Sequence, residues 1–103
     1  MKPAEDYYKF LIEDLKDPEE ASAYLNAALE AGDKKAFLLA LRNVLEAQGG
    51  MTRISRRAKI NRVSLYKMLS SNGNPAFENV LRLLQGAGIR LQIVPKSGNG
   101  PRS

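Results

Sequence analysis

With 103 residues and a formal net charge of +5, the chain is the size of one domain, and its core is small enough to gain from a partner. It holds no cysteine and no histidine, which excludes disulfides and cysteine-ligated metals and removes the commonest general base and metal ligand. No tryptophan is present either, so the composition weighs against an enzyme, a metal or a cofactor, and for a binding module.

The longest apolar run is Ala36–Leu41, far short of the roughly 18 residues a membrane span needs. Glu5, Asp6, Glu13 and Asp14 do not suit a secretory leader. A cytoplasmic protein with no membrane partner is expected. Charge divides the chain in two. Residues 1–48 carry six Lys/Arg against ten Asp/Glu, and residues 49–103 carry ten Lys/Arg against Glu78 alone. The basic half suits a polyanion, most simply nucleic acid, and the acidic half suits a basic protein.

In chain order, residues 1–17 read as an N-terminal arm. Tyr8, Phe10 and Ile12 alternate with other residues in a weak strand pattern, although a helical turn is also compatible. Asp17 can cap a helix, with Pro18 at its first position and Glu20 placed for a capping box. Ala21, Tyr24, Leu25, Ala28 and Leu29 then share one helical face. Gly32 stops that helix and Asp33 caps the next, in which Phe37, Leu38, Leu41, Val44 and Leu45 recur at helical spacing. Gly49-Gly50 ends it, so residues 18–48 form an αα-hairpin. Short helices follow over 52–58 and 62–70, joined by Lys59-Ile60-Asn61. Ser71-Asn72-Gly73-Asn74 is a turn. Asn74-Pro75 opens a fifth helix carrying Phe77, Val80, Leu81 and Leu84. Residues 89–94 alternate and predict a short C-terminal β-strand, and 95–103 read as a disordered tail. The expected fold is mainly α, a compact five-helix repressor-like domain over 18–94.

Residues 51–70 carry the functional signal, the pattern of a helix-turn-helix. Ile54, Ala58, Ile60, Leu65 and Met68 form an inward lock, and Ser55 is the small residue at the crossing. A recognition helix enters the major groove by its N-terminal end. That places Asn61, Arg62, Val63, Tyr66 and Lys67 as candidate base-reading residues, with Arg62 suited to guanine and Val63 to a thymine methyl. Arg53, Arg56, Arg57, Lys59, Asn72 and Asn74 are candidate contacts to phosphate. Ser64-Leu65-Tyr66-Lys67 matches the S-x-x-K pattern of serine acyl-enzymes without any accompanying motif, and carries no argument.

Four strings, Asp17-Pro18-Glu19-Glu20, Ala23 to Asp33, Asn61 to Ser70 and Gly73 to Phe77, together resemble the addiction-module antidote proteins, HigA-like antitoxins with a Cro/repressor-type helix-turn-helix. The resemblance spans about residues 8–96. It implies an antitoxin that binds a RelE/ParE-superfamily toxin and represses its own operon by binding double-stranded operator DNA, usually as a homodimer. The chain departs from the family at Ser55, where alanine is usual, and at Lys59, where glycine is usual. Lys59 would then need a left-handed or adjusted turn. A basic toxin would meet the acidic half, at Glu13, Asp14, Asp17, Glu19, Glu20 and Glu30, with Tyr8, Phe10 and Tyr24 as anchors. The dimer would use Ile89, Leu91 and Ile93, pairing residues 89–94 with a second copy or with residues 8–12. The competing readings are a prophage-type regulator without a toxin, and a toxin inhibitor that no longer binds DNA.

Overall fold

The computed structural model describes residues 3–96, which form six helices. They are α1 Pro3–Asp14, α2 Pro18–Ala31, α3 Lys34–Ala47, α4 Met51–Ala58, α5 Arg62–Met68 and α6 Phe77–Gly86. The tail residues 97–103 lie outside the described residues.

Local signals set most boundaries. The Asp17 carboxylate accepts from the Glu19 amide at 2.9 Å and Pro18 holds the first helical position of α2. Gly32 ends α2 with φ 72°, a left-handed backbone that glycine adopts without a Cβ penalty. One residue on, Asp33 accepts from the Lys35 amide at 3.0 Å and starts α3. The predicted capping box does not close, because the Asp17 amide donates to the Asp14 carbonyl instead.

Helix α3 is the centre of the molecule, packed on α1, α2 and α4. It buries Leu38, Ala40, Leu41, Val44 and Leu45. Its buried Asn43 donates from Nδ2 to the Tyr24 hydroxyl on α2 at 3.1 Å. A polar group in a core must be partnered, and this bond fixes the α2–α3 register. Gln48, the C-cap of α3, donates from Nε2 to the Leu15 carbonyl at 2.6 Å and to the Lys16 carbonyl at 3.1 Å. Those bonds tie the end of α1 to the end of α3. The second half of the chain packs α4 against both α5 and α6. Ile54, Ala58, Ile60, Leu65, Leu83 and Leu84 are its buried centre.

Three expectations are corrected. First, there are six helices rather than five, because the predicted arm folds as α1. Leu11 and Leu15, four apart on the helical period, lean on α3 with Leu15 buried, and this outweighs the period-2 pattern over residues 8–12. Second, residues 89–94 form no strand. A strand needs a neighbour for its backbone donors and acceptors, and within the chain the one candidate is folded into α1. Ile89 instead donates its amide to the Leu84 carbonyl at 2.8 Å and packs on the core. Third, α6 starts at Phe77 rather than at Asn74-Pro75, and its core face is Val80, Leu83, Leu84 and Ala87. Phe77 and Leu81 are exposed.

Candidate nucleic-acid interface

The α4–turn–α5 unit is built from the predicted lock. Ile54, Ala58, Ile60 and Leu65 are buried, and Met68 packs half-buried against the same core. The turn is closed from both sides. The Ser55 hydroxyl donates to the Ile60 carbonyl at 2.6 Å, and the Ile60 amide donates back to the Ser55 carbonyl at 3.1 Å. Ser55 thus adds a bond that alanine could not make. Lys59 takes the left-handed backbone that the turn requires, with φ 60° and ψ 43°. It is the one non-glycine residue with positive φ among the described residues. Asn61 then caps α5, its Oδ1 accepting from the Ser64 amide at 2.8 Å.

Along α5, Arg62, Val63 and Lys67 are exposed, and Val63 shows 73% of its surface. A valine this open on a helix whose inner face is occupied by Leu65 is available to a partner. Tyr66 behaves differently. It is half-buried against the core, and its ring lies under two guanidinium groups, with Arg42 Cζ 5.5 Å and Arg62 Cζ 5.7 Å from the centroid. Both distances are within cation–π range. Tyr66 is therefore a platform beside Arg62. Arg42, on α3, was not singled out in the sequence, because its meeting with α5 depends on tertiary packing.

Arg53, Arg56 and Lys59 are exposed around the unit, as are Asn72 and Asn74 in the loop before α6. Gly73 between those asparagines is buried, and a Cβ there would collide with the Met68 carbonyl, so the loop hugs the end of α5. Arg57 is exposed as well, but it is anchored to α6. Its Nη1 donates to the Gly86 carbonyl of α6 at 3.0 Å. Among the described residues the ion pairs are Lys16–Glu13 and Arg82–Glu78, and neither touches this surface. No acidic residue lies between Glu46 and Glu78. The α4–α5 surface therefore gathers Arg53, Arg56, Lys59, Arg62 and Lys67 without neutralising carboxylates, as a surface for polyanions does.

The acidic half divides too. Glu13, Asp14, Asp17, Glu19, Glu20 and Glu30 are exposed, though Glu13 pairs with Lys16 at 3.1 Å and Asp17 is a cap. Phe10 stands out from α1 with 72% of its surface exposed. Tyr24 is half-buried and accepts the Asn43 bond, so it belongs to the α2–α3 contact. Tyr8 faces Arg42, Glu46 and Tyr66, where burial, followed by the Glu46 carboxylate, pushes its hydroxyl above the usual tyrosine range against the opposing pull of Arg42. Tyr7, not singled out in the sequence, is 68% exposed, three residues before Phe10. A helical reading of residues 3–14 would have put the two on one face. Leu91 and Ile93 are exposed on the C-terminal segment, Ile93 by 90%, while Ile89 is half-buried. Of the predicted dimer residues, Leu91 and Ile93 are thus open to a partner, while Ile89 is partly engaged with the core.

No described helix is long and apolar enough to cross a membrane, and no described cluster of acidic side chains is placed to hold a metal ion.

Fold and surface define the class first: a small, mainly helical protein with a cationic surface over α4 and α5 that lacks carboxylates. Sequence similarity supplies the family. Residues 6–95 match the family model described as "Probable addiction module antidote protein". A Haemophilus influenzae protein described as an uncharacterized protein is 36% identical over 83 residues, covering 81% of this chain and 84% of the relative. No solved structure matches. The chain belongs to the addiction module antidote family, a non-enzymatic class whose role is to counter the toxin of the same module.

Proposed function

We propose that this antidote works in two ways. It represses its own operon by sequence-specific binding of double-stranded operator DNA through a helix-turn-helix formed by α4 and α5. It also neutralises a RelE/ParE-type toxin through the acidic α1–α2 face. The observation that carries the DNA half is α5 itself. Arg62, Val63 and Lys67 stand exposed on a helix capped by Asn61, among cations with no carboxylate partner. A guanidinium and a methyl group one residue apart suit guanine and thymine in the major groove. Arg53, Arg56 and Lys59, with Asn72 and Asn74, are exposed around that helix and are the proposed contacts to backbone phosphate. The toxin class rests on the family resemblance, and charge complementarity favours the acidic face for a basic partner.

A homodimer completes the reading. Segment 89–94 leaves Leu91 and Ile93 exposed, and a second copy would cover them. A two-fold pair would also present two α5 helices to a palindromic site, with half-sites about 34–36 Å apart.

The test is affinity for the DNA upstream of the chain's own reading frame, beside a random duplex of equal length, over a salt series. The expected slope of log affinity against log salt steepens by about 0.9 for each phosphate contacted. Arg62→Ala is expected to lose about 1–3 kcal/mol on the upstream DNA and little on the random duplex. Binding unchanged by salt, or no binding, rejects the DNA half and leaves a toxin inhibitor alone. Upstream DNA binding with no capture of the neighbouring gene's product rejects the toxin half.

A further inference from the structure

We propose that Arg42, on α3 and outside the helix-turn-helix, is a positioning residue for base reading: it shares the Tyr66 ring with Arg62 and holds Arg62 in its reading conformation. The inference rests on the DNA-binding reading above. Three observations carry it. Arg42 and Arg62 come from different helices, yet their guanidinium carbons lie 5.5 Å and 5.7 Å from one ring centroid. That ring is itself fixed, because Tyr66 packs half-buried against the core. Neither arginine has a carboxylate partner among the described ion pairs.

The physical consequence is a restriction of Arg62. An exposed arginine samples many rotamers, and ordering it on binding DNA weakens affinity. Stacking on Tyr66 at the i, i+4 position limits that freedom before DNA arrives. Arg42 adds a like charge at the same ring. Its charge disfavours Arg62 conformations that approach Arg42 and favours those directed away from it. Neither guanidinium is paired with a carboxylate in a described salt bridge, so a polyanion would add a favourable partner to both, which adds to the gain on binding DNA. Arg42 is exposed, so replacing it removes this influence without opening the core.

The experiment is a double-mutant cycle of Arg42→Ala and Arg62→Ala, read as the affinity ratio between the upstream DNA and a random duplex at one salt concentration. Arg42→Ala is expected to lower that ratio about tenfold in the otherwise native protein and hardly at all beside Arg62→Ala. Tyr66→Leu, which keeps both charges but removes the ring, is expected to lose a comparable part of the ratio. The melting temperature of Arg42→Ala should match the parent. Additive losses across the cycle overturn the inference. Equal loss on both duplexes also overturns it, by making Arg42 a plain phosphate contact. Failure of the parent protein to prefer its upstream DNA removes the DNA-binding reading, and this inference with it.

Discussion

The Arg57 guanidinium donates to the Gly86 carbonyl at 3.0 Å and ties the last turn of α4 to the end of α6. Helices α4 and α6 are in close contact there, since a Cβ added at Gly86 would meet Arg57 Cβ at 3.6 Å and Ile54 Cδ1 at 3.8 Å. Of the basic residues around the turn, Arg57 is thus tied to α6 while remaining exposed. Arg57→Ala is expected to destabilise the protein by about 1 kcal/mol, the loss of one hydrogen bond to a part-buried carbonyl. For a domain of this size that lowers the melting temperature by roughly 4–8 °C. An unchanged melting temperature with a salt slope reduced by about 0.9 would instead make Arg57 a phosphate contact.

Lys59 holds the turn at φ 60°, where an L-residue other than glycine is strained by about 1–2 kcal/mol. Glycine relieves the strain but loses about 0.5–1 kcal/mol through the greater freedom of the unfolded chain. Lys59→Gly is therefore expected to leave stability unchanged or raise it by up to about 1.5 kcal/mol. Denaturant melts decide this, and a clear destabilisation would show that the lysine side chain supports the turn.

Most of the helical frame was legible because its signals are local. Asp17, Asp33 and Asn61 each cap a helix through an amide two or three residues away, and Gly32 ends one by its own backbone. The lock of Ile54, Ala58, Ile60 and Leu65 was legible for the same reason. What escaped depends on distant residues. Leu11 and Leu15 reveal the helical period only when the window runs past Ile12. The alternation of residues 89–94 is real, but whether it becomes a strand is decided by a neighbour. Arg57 looks like any surface arginine until Gly86, 29 residues on, comes to meet it. Arg42 gains its place only when α3 and α5 pack in one body.

Tyr8, 45% exposed on α1, is expected to make the fold mildly sensitive to alkali. Burial and the Glu46 carboxylate raise its hydroxyl above the ordinary value of 10.0. The folded state therefore holds this proton more tightly than the unfolded chain. Its contribution is fully present below the unfolded value and is lost as pH climbs through the raised folded value. Tyr8→Phe removes the titration. The difference in melting temperature between variant and parent is expected to be constant up to about pH 9 and to shift in the variant's favour by about pH 11. A constant difference across that range would mean that Tyr8 ionises as freely in the fold as in the unfolded chain.

Tyr7 and Phe10 are the exposed aromatic pair of the acidic half, and the proposed toxin surface is expected to depend on them. They sit three residues apart on α1, 68% and 72% exposed, with Asp6, Glu13 and Asp14 on the same helix. Large aromatics ringed by charge are the usual anchors of protein interfaces, where a few residues supply most of the affinity. The surrounding carboxylates act chiefly on the rate of encounter. Replacing both aromatics with alanine should weaken binding of the neighbouring gene's product by at least about 2 kcal/mol, mostly through faster dissociation. Glu19→Lys with Glu20→Lys should instead slow association and flatten its salt dependence. Tyr24→Phe serves as the control. It breaks the hydroxyl bond from Asn43, which should reduce stability by about 1–2 kcal/mol while leaving toxin affinity intact. Surface plasmon resonance with immobilised toxin resolves the rates, and thermal melts confirm the fold of each variant. Full affinity after loss of both Tyr7 and Phe10 would remove α1 from the toxin interface.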